Sequence, residues 1–339
     1  MHTALHCADS ARLVSRPNPW VGAVIVTLDG RQFTGATQQP GDAHAEIVAL
    51  RAAGGAARGS TLYCTLEPCS HTGRTGPCAQ AIIDAGVTRV VVGTEDPDPR
   101  VSGRGIDMLR QAGVTVDVGV CRDEVTEQLA PYLHHRRTGR PWVVLKMAAT
   151  LDGRVAAADG SSRWITGPDA RTRVHRMRAE SDAICVGAGT VRADDPSLTT
   201  RDVDGPSPRR VVLGSAPETA RVRPCLEWNG TIDELLDHLG ADGVIQLLVE
   251  GGPRVARSFH EQGLIDRYVF HVAPALSGGS DAPSIFAGAA AATMNDMWRG
   301  RIESIARLGD DLEVVVSPST SSFHSPNHRS TTEATRNSR

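Results

Sequence analysis

The sequence predicts an α/β protein made of two successive layered halves. Three observations lead there. The chain has 339 residues, long for one core and ample for two. Short apolar runs alternate with helix-patterned segments along nearly all of it. One polar, breaker-rich stretch, Arg136-Arg137-Thr138-Gly139-Arg140-Pro141, interrupts that alternation. The expected domains are 1–138 and 141–317. A tail over 318–339, rich in Ser, Thr, His, Asn and Arg, is expected to be disordered, because it has too little apolar surface to order itself.

In the first half, strands are expected over 21–26, 61–66, 89–92 and 114–120, with Asp29-Gly30 turning the chain into a further strand. Helices are expected over 44–53, stopped by Gly54-Gly55, over 77–85, opened by Pro77 and stopped by Gly86, and over 106–112. In the second half, strands are expected over 142–147, 183–187, 210–213, 245–249, 268–272, 302–306 and 312–316. Helices are expected over 168–179, 232–239 and 255–262.

Composition narrows the function classes. Hydrophobic residues make up 40% and charged residues 22%, as in a globular enzyme. A formal charge of −3 gives no general attraction to nucleic acid or to an anionic membrane. No apolar run is long enough for a membrane span, and Met1 to His6 lacks the pattern of a secretory leader. Cytoplasmic placement is expected, where thiols stay reduced. Of seven cysteines, Cys7, Cys64, Cys121, Cys185 and Cys225 read as small core residues. Among 36 basic side chains Lys146 is the single lysine, and it stands in an apolar strand. A charge there is costly without a purpose, and lysine can trade a proton where arginine cannot.

The chemistry centres on His44, Cys69 and Cys78. They stand in His44-Ala45-Glu46, Pro68-Cys69 and Pro77-Cys78. One imidazole and two thiolates make a zinc set with one coordination position open, the hallmark of a catalytic site. Glu46, two residues past the histidine, is placed to move protons without ligating. This is the layout of zinc-dependent nucleobase deaminases. The usual two-residue gap between the cysteines is eight residues here, a polar insert that suits a larger, phosphate-bearing substrate. His71 and Arg74 within it are candidate phosphate contacts, or simply solvated loop residues. Buried free thiols, or a purely structural zinc, are the alternatives for the trio.

In the second half, Val186-Gly187-Ala188-Gly189-Thr190 and Glu250-Gly251-Gly252-Pro253 each follow a strand and open a helix. Both could offer backbone N–H groups to phosphate, but tight turns explain such glycines equally well.

Longer segments carry a resemblance. Pro17-Asn18-Pro19-Trp20-Val21-Gly22-Ala23-Val24, His44-Ala45-Glu46 and the run from Thr65 to Cys78 are similar to the bifunctional riboflavin-biosynthesis deaminase–reductase family. So are Leu145-Lys146-Met147-Ala148-Ala149-Thr150-Leu151-Asp152-Gly153-Arg154, Trp164-Ile165-Thr166-Gly167, Ala193-Asp194-Asp195-Pro196-Ser197-Leu198-Thr199 and Val249-Glu250-Gly251-Gly252-Pro253.

The resemblance implies a cytidine-deaminase-like three-layer α/β domain followed by a dihydrofolate-reductase-like α/β domain, one zinc ion per chain and NADPH. It implies a phosphoribosylaminopyrimidine as small-molecule substrate. Glu46 would be the catalytic carboxylate, with Asn18, His71 and Arg74 on the first substrate. Lys146 would act at ribose C1; an ion pair with Asp194 or Asp195 is its alternative. Ala148, Trp164, Thr190, Asp194, Ser215, Gly251 and Gly252 would contact NADPH. Ser162, Arg178, Leu198, Arg201 and Glu250 would contact the second substrate. Core packing for Trp164, and the solvated face of an arginine-rich helix for Arg178, are the competing readings.

The segment from Glu95 to Gly105 is also similar to that family's substrate loop, with Asp98 where many members carry asparagine. The stretch between Ser215 and Ile245 is short against the family, implying a trimmed sheet edge and leaving a weakened reductase open. A homo-oligomer is expected through an exposed sheet edge in the reductase half. Rival readings are a deaminase acting on nucleic acid, which leaves 142–317 without a role, and a zinc-stabilised nucleotide-binding protein, which has no need of Glu46.

Overall fold

The computed structural model describes residues 1–70 and 76–319. His71 and Arg74, and the expected tail from residue 320 onward, lie outside the described residues.

The first half runs α1 (His2–Ala11), β1 (Gly22–Val26), β2 (Gln32–Ala36), α2 (Ala45–Ala53), β3 (Thr61–Leu66), α3 (Cys78–Asp84), β4 (Arg89–Thr94), α4 (Arg104–Gln111), β5 (Thr115–Val118), α5 (Arg122–Gln128) and α6 (Ala130–Thr138). Among the described residues its five strands lie in the order β2-β1-β3-β4-β5. The β1–β2 and β1–β3 pairs are antiparallel, whereas β3–β4 and β4–β5 are parallel. Parallel pairing sends the chain back through a helix each time, so the loops after β3 and β4 open at the same sheet end. Trp20, Ile25, Leu62, Ile82, Leu109 and Leu133 are buried in one core. Gly22 lets α1 lie directly on β1, since a Cβ there would stand 1.8 Å from the Ala4 carbonyl oxygen.

The second half runs β6 (Trp142–Thr150), α7 (Pro168–Ala179), β7 (Ala183–Gly187), α8 (Ala188–Asp194), β8 (Arg209–Leu213), β9 (Leu226–Trp228), α9 (Ile232–Ala241), β10 (Gln246–Val249), α10 (Pro253–Glu261), β11 (Arg267–Ala273), β12 (Gly300–Leu308) and β13 (Asp311–Pro318). Among the described residues they form an eight-stranded sheet, β12-β13-β11-β6-β10-β7-β8-β9. Strands β11 through β9 are parallel in that order, and β12 and β13 add an antiparallel edge. Helices cover both faces, so central strands are apolar on each side. On β6, Val143, Leu145 and Met147 enter one core, while Val144 enters the other. The edge expected to be trimmed ends in the three-residue β9, followed by α9, which opens on a Thr231/Glu234 capping box.

The structure extends or corrects the sequence reading at several points. Helices α1, α5 and α6 stand where no helix was expected. Helix α6 takes in Arg136, Arg137 and Thr138, which were read as the start of a linker. The last strand, expected over 312–316, runs from Asp311 to Pro318. Cys64 and Cys185 are buried as expected, but Cys7, Cys121 and Cys225 are only half-buried.

The two halves are bolted together. Arg16 donates to the Ala179 carbonyl at 2.5 Å and pairs with Asp182 at 3.2 Å. Arg140, just past α6, pairs with Asp233 at 2.7 Å and Asp237 at 2.6 Å on α9. A His135 ring nitrogen lies 3.1 Å from the Gly240 carbonyl oxygen.

Candidate active sites

His44 is the N-cap of α2, with extended backbone that turns its ring off the helix start. Cys69 lies in the loop after β3, and Cys78 is the first residue of α3. His44 Nδ1 stands 3.6 Å from Cys69 Sγ and 3.3 Å from Cys78 Sγ. One ligand atom from each residue lies within 4.8 Å of the others. With Zn–S near 2.3 Å and Zn–N near 2.0 Å, a tetrahedral site needs N···S edges of about 3.5 Å. The three donors fit zinc in both chemistry and spacing.

The electrostatics match an electrophile-binding pair of sulfurs. The hydrogen bond with Cys78 and the nearby His44 bring the Cys69 thiol down to about 4. The same contact with Cys69, together with burial, pushes Cys78 up. The Cys78 backbone N–H donates to Cys69 Sγ at 3.4 Å. Glu46 sits in the first turn of α2, only 3% exposed. Burial, reinforced by Cys69, raises its carboxyl to about 7, suited to trading protons near neutrality.

A cavity of about 400 Å³ opens above this centre. His44, Glu46 and Cys69 line it, and Asn18 faces it from between Pro17 and Pro19. Among its lining residues, Tyr132 and Arg136 were not expected at the site, whereas Arg100 belongs to the Glu95–Gly105 segment that resembles the family's substrate loop. Tyr132 and Arg136 are one turn apart on α6, with the guanidinium 4.9 Å from the ring centroid. That i, i+4 pair was visible in the sequence only to a reader who had recognised α6. Asp98 also lines the cavity, and Arg100 donates to it from Nε at 3.0 Å and Nη2 at 2.7 Å. These bonds hold Asp98 down at about 2.

In the second half, Lys146 and Ala148 sit on the central strand β6. Burial lowers the Lys146 ammonium, with Glu250 favouring the charge and Arg178 opposing it. The expected alternative, an ion pair with Asp194 or Asp195, is not formed. The acidic neighbour is Glu250, and Asp195 instead accepts from the Arg221 N–H at 2.8 Å. Arg178 and Glu250, both expected on substrate, bind each other through two bonds of 2.8 and 2.9 Å. The Arg178 side chain is 12% exposed, so it points inward and not onto a solvated helix face. Trp164 is 70% exposed under the Arg171 guanidinium, which rules out core packing.

Thr190 and Gly252 meet where β7 and β10 end: a Cβ on Gly252 would stand 3.4 Å from Thr190 Oγ1. Asp194 closes α8, and its carbonyl accepts from Arg163. Leu198 is buried with a left-handed φ of 54°, Ser162 is half-buried, and Arg201 donates to Ser197 Oγ. Beside Ser215, a second cleft of about 370 Å³ is lined by Leu213, Gly214, Trp228, Arg254 and Val255. Trp228 and Arg254 were not singled out from the sequence: Trp228 stands outside any motif, and Arg254 falls one position past Glu250-Gly251-Gly252-Pro253.

Comparison with known proteins agrees with this layout. Residues 1–94 match the cytidine and deoxycytidylate deaminase zinc-binding region, and residues 141–314 match the RibD C-terminal domain. The riboflavin biosynthesis protein RibD of Bacillus amyloliquefaciens is 39% identical, covering 94% of this chain and 95% of its own. That of Corynebacterium ammoniagenes is 45% identical over 82% of this chain and 86% of its own. Among solved structures, Acinetobacter baumannii RibD superposes with a TM-score of 0.88 at 36% identity, covering 94% of this chain and 97% of that one. A Thermotoga maritima diaminohydroxyphosphoribosylaminopyrimidine deaminase/5-amino-6-(5-phosphoribosylamino)uracil reductase gives 0.83 at 31% identity, covering 94% and 97%.

Fold, site and matches define a two-domain enzyme, a deaminase of the cytidine-deaminase type fused to a reductase. The chain belongs to the RibD family, the bifunctional deaminase–reductases of riboflavin biosynthesis.

Proposed function

We propose that the first half deaminates 2,5-diamino-6-(5-phosphoribosylamino)pyrimidin-4-one and that the second half reduces the resulting 5-amino-6-(5-phosphoribosylamino)uracil with NADPH. The observation that carries the reading is the meeting of His44, Cys69 and Cys78 beside the buried Glu46, with His44, Cys69 and Glu46 lining one cavity. A zinc ion held by those three supplies Lewis-acid activation of water at neutral pH. Glu46 takes the proton from the attacking water as the oxygen bonds to pyrimidine C2. It then hands that proton to the departing amine, which leaves as ammonia. Asn18 orients the base, while His71 and Arg74 serve the phosphate.

In the second half NADPH supplies hydride. Ala148, Trp164, Thr190, Asp194, Ser215, Gly251 and Gly252 form its cradle. Ser162, Leu198, Arg201 and the Arg178–Glu250 pair position the ribosyl substrate. Lys146 donates a proton as hydride reaches ribose C1. A buried ammonium whose proton is loosened by its surroundings suits that step.

The functional domains are taken as 1–138 and 141–317, working in the cytoplasm. No helix among the described residues is long and apolar enough to cross a membrane. Edge strand β12 carries Ile302 at 57% and Ile305 at 61% exposure, which favours a homo-oligomer formed over that edge.

The test uses the whole purified chain. Elemental analysis should find one zinc per chain. Ammonia should be released from the diaminopyrimidine without NADPH, and NADPH should be consumed only once deaminated product is present. Zinc-free protein that releases ammonia at the same rate would overturn the deaminase reading.

A further inference from the structure

Glu67 is a buried carboxylate with no cationic partner among the described residues, yet it is fully engaged. Its exposure is 4%. Oε2 accepts from the backbone N–H of Asp96 at 3.3 Å and of Gly103 at 3.0 Å. Oε1 accepts from the N–H of Gly105 at 2.9 Å and of Ile106 at 3.3 Å. All four donors belong to one segment, the loop after β4 and the start of α4, at least 29 residues away in sequence.

Helix α4 needs such a partner. Its N-cap, Gly103, is left-handed at φ 79° and offers no capping side chain. A helix start leaves its first N–H groups unpaired and carries partial positive charge, which an anion satisfies. Glu67 supplies that anion from a different part of the chain. Contact between the two segments is as close as atoms allow, since a Cβ on Gly105 would stand 1.8 Å from the Pro68 carbonyl oxygen.

What this joint connects is specific. Glu67 lies two residues before Cys69. The segment it grips, Asp96 to Ile106, carries Asp98, Arg100 and Val101 into the cavity. Asp98 in turn binds the Arg100 guanidinium and accepts the N–H of Arg100 at 2.9 Å. The Tyr132 hydroxyl, from α6, donates to Asp96 at 3.0 Å.

We infer that Glu67 is a positioning residue for deamination: it caps α4 from the metal-bearing loop and so sets the distance between the three-donor centre and the wall that holds the substrate. Glu67 itself lines the cavity, but its two oxygens are taken up by four backbone N–H groups of the segment from Asp96 to Ile106, and it is not one of the three clustered donors. The inference rests on the proposed deaminase reading of this cavity.

The test is Glu67→Gln in the full chain. An amide keeps one acceptor oxygen and turns an N–H₂ toward two backbone donors, so half the joint is lost. KM for the diaminopyrimidine should rise about tenfold, the factor one charge-assisted hydrogen bond is worth. The kcat should stay within about threefold, zinc content should be unchanged, and reduction by the same molecules should be unaffected. A residue that only stabilised the fold would lower the melting temperature and leave KM alone. Unchanged KM, or zinc loss with unchanged KM, overturns the inference. If Glu67→Gln does not fold, Glu67→Asp, which keeps the charge but shortens the reach, carries the same KM test. Wild-type protein that releases no ammonia would instead refute the deaminase reading itself, so the two failures are distinguishable.

Discussion

Arg178 grips Glu250 with two nitrogens, Nε at 2.8 Å and Nη2 at 2.9 Å, between the end of α7 and the end of β10. The pair sets the charge balance around Lys146. Glu250 favours the lysine ammonium and Arg178 disfavours it. Glu250→Gln removes the favourable charge and frees the unfavourable one, so both effects lower Lys146 further. The ammonium of Lys146, the proposed proton donor, is then lost at lower pH. The alkaline limb of the reduction rate should move toward acid, while the deamination profile of the same sample stays put. A limb that does not move, or moves upward, means Lys146 is not the group being titrated. The variant should also lose on the order of 3 kcal/mol of stability in urea unfolding, because one buried charge is left without its partner.

Lys146→Met should reduce NADPH-dependent turnover by about 10²- to 10³-fold, the loss typical of removing one donor at a developing charge. Ammonia release should be unchanged, because the first half has its own core. Single-turnover NADPH oxidation followed by absorbance checks this. Near-normal turnover would return Lys146 to a structural role.

Glu46→Gln should keep zinc and lose deamination by about 10²- to 10⁴-fold. Cys69→Ser should lose both together, since its sulfur is one of three donors around the centre. Elemental analysis beside an ammonia assay separates the two effects. Equal zinc loss in both variants would merge the two roles.

Asp98 ties pH to stability in the acid range. Its folded-state pKa, about 2, lies below the ordinary value of 3.8, so the fold prefers the ionised form. That contribution is complete above about 4 and disappears as pH falls through about 2. Solvent at the cavity mouth limits it to on the order of 1 kcal/mol. The gap in unfolding free energy between wild type and Asp98→Asn should therefore narrow from about pH 5 to about pH 2. A gap that widens over that interval contradicts the pairing with Arg100.

Legibility in the sequence followed the range of the interactions. His44, Cys69 and Cys78 could be read as a donor cluster because such donors come with local spacing and flanking prolines. Most strands could be read because parallel strands covered on both faces are continuous apolar runs, as in β7 and β10. Helix α6 escaped because its Arg136 and Arg137 read as linker charge. Their use, with Arg136 lying against the Tyr132 ring and toward Asp98, exists only once α6 packs beside the loop after β4. Arg178 was singled out, but its partner Glu250 lies 72 positions away, and nothing local announces the pairing. Cys7, Cys121 and Cys225 were assigned to the core on residue type alone, which says nothing about the side of a helix or turn on which a thiol falls.

Arg16 gives the molecule a consequence at the scale of whole domains. It sits immediately before Pro17 and Asn18 of the first cavity, and it holds the Ala179 carbonyl and Asp182 just past the end of α7 in the second half. A graft that exchanges one half for a relative's therefore has to carry a matched partner for Arg16, or the swap unsettles the Pro17–Asn18 stretch and the end of α7 at a single seam.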